Sequence, residues 1–454
     1  MKVAWFTPVT GDTPIVEYSR GVLETMAERC EPVLCCTRPP ERFPIGVRVV
    51  DFEAKPDAIS ELPSCDAVFY NLGNDFREHA WIWEVSQRHP GIVVLHTVML
   101  HRMFLDYYLR YLRRADLYVS RMVEHYGIAG LRAAHRELGP RFDPEAAQVA
   151  DDYLCRYAFT EEALSAATGV VVHSRWHGAI VRRRWSGPVC DVWPPAQRPT
   201  ASSIPTRTQG DDLDEARITM MTLGPVEPRT GVGEVIDVFA ADPDLAARAR
   251  YVIAGRADPN NAHVRALTAR IAEADLGGNV RMLGQLRPVE VDQWARAADV
   301  FIDLRHPDDE GFAMSLMYQL PFGKPVVTRD AGAIDEIPDQ AVVKIAASDP
   351  AGLRRNLREL VDNVARRQAI GTAGSRFADA HGALDYVGRL LRFADKEACA
   401  VGPQPLAEAA GRAIADRIVD QVAATFSSLG ATPDWPGLDP LIREASRLLW
   451  PTSG

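Results

Sequence analysis

The chain has little that would staple or anchor it. Its seven cysteines are an odd number in 454 residues and none forms a spaced C-x-x-C pair. That excludes a disulfide framework or a thiolate zinc site and fits a reduced, cytoplasmic protein. Cys35 and Cys36, at the end of an apolar run, read as buried free thiols. No grouping of His, Cys and carboxylates has metal-ligand spacing, so no metal is expected. No apolar run approaches the roughly 20 residues needed to cross a bilayer, so any membrane contact would be peripheral. Met1 to Phe6 lacks a basic leader and a cleavage site, and reads as a strand rather than a signal peptide. Positive charge is not in excess either. A formal net charge of −10 argues against general nucleic-acid binding, which needs a concentrated basic surface. The local clusters Arg110, Arg113, Arg114 and Arg182, Arg183, Arg184 read as solvated helix faces.

What is present is ordinary globular material, 47% hydrophobic and 25% charged, in a chain too long for one core. Short apolar runs alternate with helical patterns, the signature of βαβ units and a parallel sheet covered on both faces. Val3–Phe6, Glu31–Cys36, Ala67–Tyr70, Gly91–His96 and Gly169–His173 read as strands, with a helix over Ile15–Arg29. A Pro-, Ser- and Thr-rich stretch then interrupts the rhythm. It restarts with strands at Ile218–Thr222, Tyr251–Ala254, Val280–Leu283, Val300–Leu304 and Pro325–Thr328. The expected organisation is a Rossmann-like domain over 1–195, a linker over 196–216, a second Rossmann-like domain over 217–375, and a helical crossover and extension over 376–454. The last segment is a candidate for packing on the first domain, for an oligomer contact, or for a membrane contact. Two such sheets in tandem place a cleft at the carboxyl ends of their strands.

The most informative string is Glu310-Gly311-Phe312, continuing through Gly323-Lys324-Pro325-Val326-Val327 to Asp330-Ala331-Gly332-Ala333. It follows a strand, so a carboxylate falls on a loop facing the cleft, ahead of a helix whose N–H groups suit phosphate oxygens. The string resembles the donor-site signature of family 4 glycosyltransferases, which have the GT-B fold. Weaker segments agree in order: Ile15-Val16-Glu17-Tyr18-Ser19, Asn71-Leu72-Gly73-Asn74 with His79, Val93-Val94-Leu95-His96-Thr97 with His101, Val171-Val172-His173-Ser174, and Leu283-Gly284-Gln285-Leu286. The resemblance covers about residues 1 to 395.

The resemblance implies an α/β protein of GT-B fold that transfers a sugar, with retention, from a nucleotide-sugar donor to a glycan, lipid-linked or small-molecule acceptor. It needs no cofactor and no obligate metal, because the protein stabilises the departing diphosphate. Glu310 would contact the donor sugar, and Gly311, Phe312 and Gly332 would lie in the donor region. His96, at a strand's carboxyl end, would sit near the reacting centre. Asn74, His101 and His173 are the candidates on the acceptor side. Homo-oligomerisation through the C-terminal helices remains open.

Three departures fall on the same ligand. Tyr318 stands where the family has a carboxylate that holds the nucleotide ribose. In Leu223-Gly224-Pro225-Val226-Glu227-Pro228-Arg229-Thr230-Gly231, Pro225 and Thr230 replace the two cations of the phosphate-clamp turn, leaving Arg229, with Arg256 after the next strand, as substitutes. Pro14 replaces a loop glycine, with Gly11 nearby. Either the donor is held in an altered way, or the chain is a noncatalytic relative that binds a glycan or a partner.

Overall fold

A computed structural model describes residues 1–9, 14–38, 46–139, 153, 156–197, 217–305 and 312–396. They build two parallel sheets. The first contains β1 (Lys2–Phe6), β2 (Glu31–Cys36), β3 (Arg48–Asp51), β4 (Ala67–Leu72), β5 (Ile92–Leu95), β6 (Gly169–Val172) and β7 (Val189–Asp191), in the order β3-β2-β1-β4-β5-β6-β7. The second contains β8 (Ile218–Leu223), β9 (Ala249–Ala254), β10 (Val280–Gly284), β11 (Val300–Asp303), β12 (Val326–Arg329) and β13 (Val343–Ile345), in the order β10-β9-β8-β11-β12-β13. The central strands are continuous apolar runs buried on both faces. Val3, Ala4, Trp5 and Phe6 of β1 and Val300, Phe301 and Ile302 of β11 are all sealed from solvent.

Strand order reverses between β1 and β4 in the first sheet and between β8 and β11 in the second. At such a switch point the flanking connections leave toward opposite faces and open a crevice beyond the strands' carboxyl ends. Two crevices are therefore fixed by topology: one beyond Phe6 and Leu72, the other beyond Leu223 and Asp303.

The chain then returns. The helix Ala383–Lys396 lays Tyr386, Val387, Leu390 and Phe393 against Tyr18, Val22, Leu23 and Met26 of the helix Pro14–Met26, far back in sequence. Each such side chain contributes on the order of 1.5–3 kcal/mol by leaving water. The Tyr18 and Tyr386 hydroxyls meet at 2.5 Å inside this contact. Met314, from the helix Phe312–Gln319 of the second half, is buried in the same cluster. Glu336 accepts from Trp176 N (2.9 Å) and Trp193 Nε1 (3.2 Å), tying the second half to the first. Residues 397–454, including the expected C-terminal extension, lie outside the described residues. Among the described residues no helix is long and apolar enough to cross a membrane.

Candidate functional site

At the first crevice the side chains are neutral and interlocked. Asn71, at the end of β4, donates its Nδ2 to the Phe6 carbonyl (2.8 Å), which turns its Oδ1 toward His96 Nε2 at 3.0 Å. That assigns the tautomer: Nε2 of His96 carries the proton, and Nδ1 accepts from His173 Nε2 at 3.1 Å. His79 Nδ1 meets the Asn71 carbonyl at 3.1 Å. Tyr18 stands edge-on to both His96 and His173, with ring centroids 5.0 and 5.6 Å away. Burial pushes His79 down to about 4 and His173 to about 3. Burial, with His173 and His79 beside it, also takes His96 well below the ordinary histidine value. For His79 the burial penalty on the charged imidazole outweighs the opposing pulls of the Asn71 carbonyl and the Asp75 carboxylate, so the neutral form wins.

His96 and His173, expected separately from two strand ends, are thus one hydrogen-bonded pair. The other two acceptor-side candidates do not join them. His101 is buried at the start of the helix His101–Leu105, with Nδ1 at 2.5 Å from the Tyr157 carbonyl and Nε2 at 2.7 Å from Glu137 Oε1. Asn74 accepts from Met103 N at 3.1 Å, so it anchors that same helix.

The second crevice is charged. After β8 the backbone turns at Gly224, whose φ of +130° few side-chain-bearing residues adopt. Gly255, just after β9, lies so close that a β-carbon on it would overlap the Gly224 carbonyl oxygen. Two glycines therefore bring two backbones together at the mouth. The turn closes with the short helix Pro228–Thr230 and Gly231 at φ +69°. Thr230, which stands in place of one of the two cations, is buried and spends its hydroxyl on the Glu227 carbonyl (2.7 Å). Arg229 sits half-buried on that turn. Arg256 is largely exposed, its Nη2 3.6 Å from Glu227 Oε1.

Two arginines that the motif comparison did not single out complete the rim. Arg305 follows β11 and pairs with the buried Asp303 through two bonds, Nε to Oδ1 at 2.8 Å and Nη2 to Oδ2 at 2.7 Å. Asp303 Oδ2 also accepts from Ser315 Oγ (2.7 Å) and Gln319 Nε2 (2.9 Å). Burial alone would push this carboxyl up, but Arg305 and the other donors outweigh it and hold it below its usual range. Arg329, ending β12, reaches the Leu304 carbonyl through Nε (3.3 Å) and pairs with Glu234. Four adjacent strands, β9, β8, β11 and β12, are each followed or ended by an arginine at the crevice: Arg256, Arg229, Arg305 and Arg329. An apolar run closing on Arg, as in Val300-Phe301-Ile302-Asp303-Leu304-Arg305, was the available signal.

Tyr318, on the helix Phe312–Gln319, donates to Asp292 Oδ1 at 2.6 Å, and burial followed by Asp292 pushes its phenol up. Glu17, of the first half, adds to that shift from across the cleft. Gly332, at φ +60°, opens the short helix Gly332–Glu336 that carries Glu336 to the first half. Gly11, Glu310 and Gly311, and the side chain of Phe312, lie outside the described residues. Among the described residues no group of three or more His, Cys, Asp or Glu side chains is placed to hold a metal.

Residues 205–377 match the family model of glycosyl transferases group 1. A lipopolysaccharide core biosynthesis mannosyltransferase, LpsB of Rhizobium meliloti (strain 1021), is 30% identical over 146 residues, which is 30% of this chain and 39% of the relative's length. Among solved structures, sucrose-phosphate synthase from Thermosynechococcus elongatus has a TM-score of 0.59 at 15% identity, covering 86% of this chain and 98% of that one. Anabaena HepE in complex with UDP and glucose has a TM-score of 0.58 at 13% identity, with coverage of 86% and 98%. At such identities the likeness is one of fold. The chain has the GT-B fold, two Rossmann-like sheets each with its own crevice, and its second half carries the sequence pattern of the group 1 glycosyl transferases.

Proposed function

We propose that this chain is a retaining glycosyltransferase whose second crevice holds a nucleotide-sugar donor and whose first crevice receives the acceptor, a glycan, a lipid-linked glycan or a small molecule. The observation that carries the reading is the rim of the second crevice. Two glycines bring the backbone close, and four adjacent strands are followed or ended by an arginine, at the switch point of the half that matches the family model. Diphosphate is the anion such a rim suits. As the sugar leaves, negative charge builds on the diphosphate, and donors already held in place stabilise it without reorganising. The Arg305 and Arg329 forks are pre-aligned by Asp303 and Glu234 for that purpose. Glu310 would hold the donor sugar, with Gly311 and Phe312 by their backbone near the phosphates, and Tyr318 would offer the ribose one hydrogen bond. His96, with both ring nitrogens held by Asn71 and His173, would shape the facing side rather than bond the acceptor directly, and the enzyme would work in the cytoplasm without a metal.

A second reading, a relative that binds without transferring, is favoured by one observation: the Tyr318 hydroxyl is already committed to Asp292. Incubation with a panel of nucleotide sugars, reading the nucleoside diphosphate released, separates the two. Turnover of one donor is expected. Donor binding without turnover across a wide acceptor panel would favour the second reading, and no binding of any nucleotide sugar at millimolar concentration would sink the first.

A further inference from the structure

The structure assigns Glu336 the role of a positioning residue for transfer: it is the latch through which the charged half sets the place of the His96 and His173 pair. This rests on the two-crevice reading above and deepens it. Glu336 ends the short helix Gly332–Glu336, which follows β12 and Arg329 at the charged crevice. Its carboxylate is only 10% exposed, and its three hydrogen bonds all run to the first half. They come from Trp176 N at 2.9 Å, Trp193 Nε1 at 3.2 Å and Arg175 Nε at 3.4 Å. Arg175 is 76% exposed and adds little, so the two tryptophan donors carry the contact.

Those two donors flank His173. Trp176 lies in the first turn of the helix Arg175–Arg182, just beyond His173 in the chain. Ser174 caps that helix by accepting from His177 N at 3.1 Å, which leaves the Trp176 N–H for another acceptor. Glu336 is that acceptor, so the helix end is completed only by the other half, and its positive pole faces a carboxylate. Trp193 arrives from the neighbouring strand: Val192 N donates to the Val172 carbonyl at 2.9 Å, which brings the chain past β7 alongside His173. Another side chain of the second half, Met314, is also buried against the first, but its contact is apolar and has no set direction. Hydrogen bonds to one carboxylate fix distance and angle together. Transfer between ligands held by separate halves depends on that spacing, since a misplacement of about 1 Å costs roughly 100-fold in rate. The arginine rim stands wholly on the second sheet, so the affinity for nucleotide does not depend on the latch.

The test compares Glu336→Ala and Glu336→Gln with the wild-type full chain in three measurements. These are calorimetric affinity for UDP, ADP, GDP and CDP, steady-state turnover of the nucleotide sugar that the wild type uses, and small-angle X-ray scattering. In Glu336→Ala the expected result is a kcat lower by roughly 10- to 100-fold, little change in nucleoside diphosphate affinity, and a larger radius of gyration. Glu336→Gln keeps an oxygen for the Trp176 N–H but turns an amide donor toward Trp193, so its loss should be intermediate. Adding Trp193→Phe removes that conflict and should restore part of the loss. Should the alanine variant not fold, the two glutamine variants carry the same comparison. Turnover and diphosphate affinity falling equally, or neither falling, would overturn the latch while leaving the two-crevice reading intact. A scattering profile identical to that of the wild type would also overturn it. A wild-type chain that binds no nucleotide or turns over no donor would overturn the two-crevice reading itself, and the scattering comparison then decides the latch.

Discussion

The two crevices occupy equivalent places in two similar sheets, yet their chemistry is opposite. Beyond β1 and β4, among the described residues, an asparagine and two histidines are buried and neutral, each bonded to the next from Phe6 through Asn71 and His96 to His173. Beyond β8 and β11 they are arginines paired with carboxylates, set against glycine turns. One fold thus supplies position twice, and the residues at the strand ends decide what each position can bind. A neutral hydrogen-bonding edge suits hydroxyls, and a cationic edge with close backbones suits an anion.

The sharpest way to break the contrast is to remove the charge that organises the second crevice. Asp303→Leu would leave Arg305, Ser315 and Gln319 around a buried site without their acceptor, and should cost about 3 kcal/mol of stability in chemical denaturation. Glu310→Gln should lower turnover roughly 100-fold with donor affinity much less affected, as steady-state kinetics would show.

Acid should strike the first crevice. His79 and His173 protonate at about 4 and about 3 in the folded protein, against 6.5 for an ordinary histidine. Their folded values are depressed, so between these limits the unfolded chain binds the protons and the folded chain does not. Stability is then full above pH 6.5 and falls as pH drops toward 4. Thermal melts from pH 7.5 to 4.5 should show the decline, and replacing His79 with Asn should flatten it. The smallest effect expected is that of Tyr318→Phe. It removes one hydrogen bond to Asp292, about 1 kcal/mol in melting or in nucleotide affinity. A large loss of nucleotide affinity alone would assign Tyr318 more of the ribose than one hydrogen bond can hold.

The central strands were legible because they are apolar runs between turn residues, and burial on both faces leaves no other use for such runs. The missing strands were β3, β7 and β13, of three or four residues each. All three are sheet edges, and β3 and β7 are also at most partly buried and therefore weakly patterned. At the sites, His96 and His173 could be placed at strand ends, but their bond follows from β5 and β6 being neighbours, which spacing does not state. Arg305 was hidden for a related reason. Its place comes from Asp303 two residues earlier, on the same side of an extended chain, and from Gly224 just after the adjacent strand, whereas the motif points to cations only in the turn and after the next strand. His101 resembled a site residue by its place after β5, yet it spends both ring nitrogens on Tyr157 and Glu137.

The most direct test of the contrast is hydrogen–deuterium exchange of the full chain with and without its tightest nucleoside diphosphate. The account predicts added protection over Leu223–Thr230, Gly255–Arg256 and Leu304–Arg305, with the backbone of Asn71, His96 and His173 unchanged. Protection centred on those first-crevice residues, with none at the arginine rim, would contradict it.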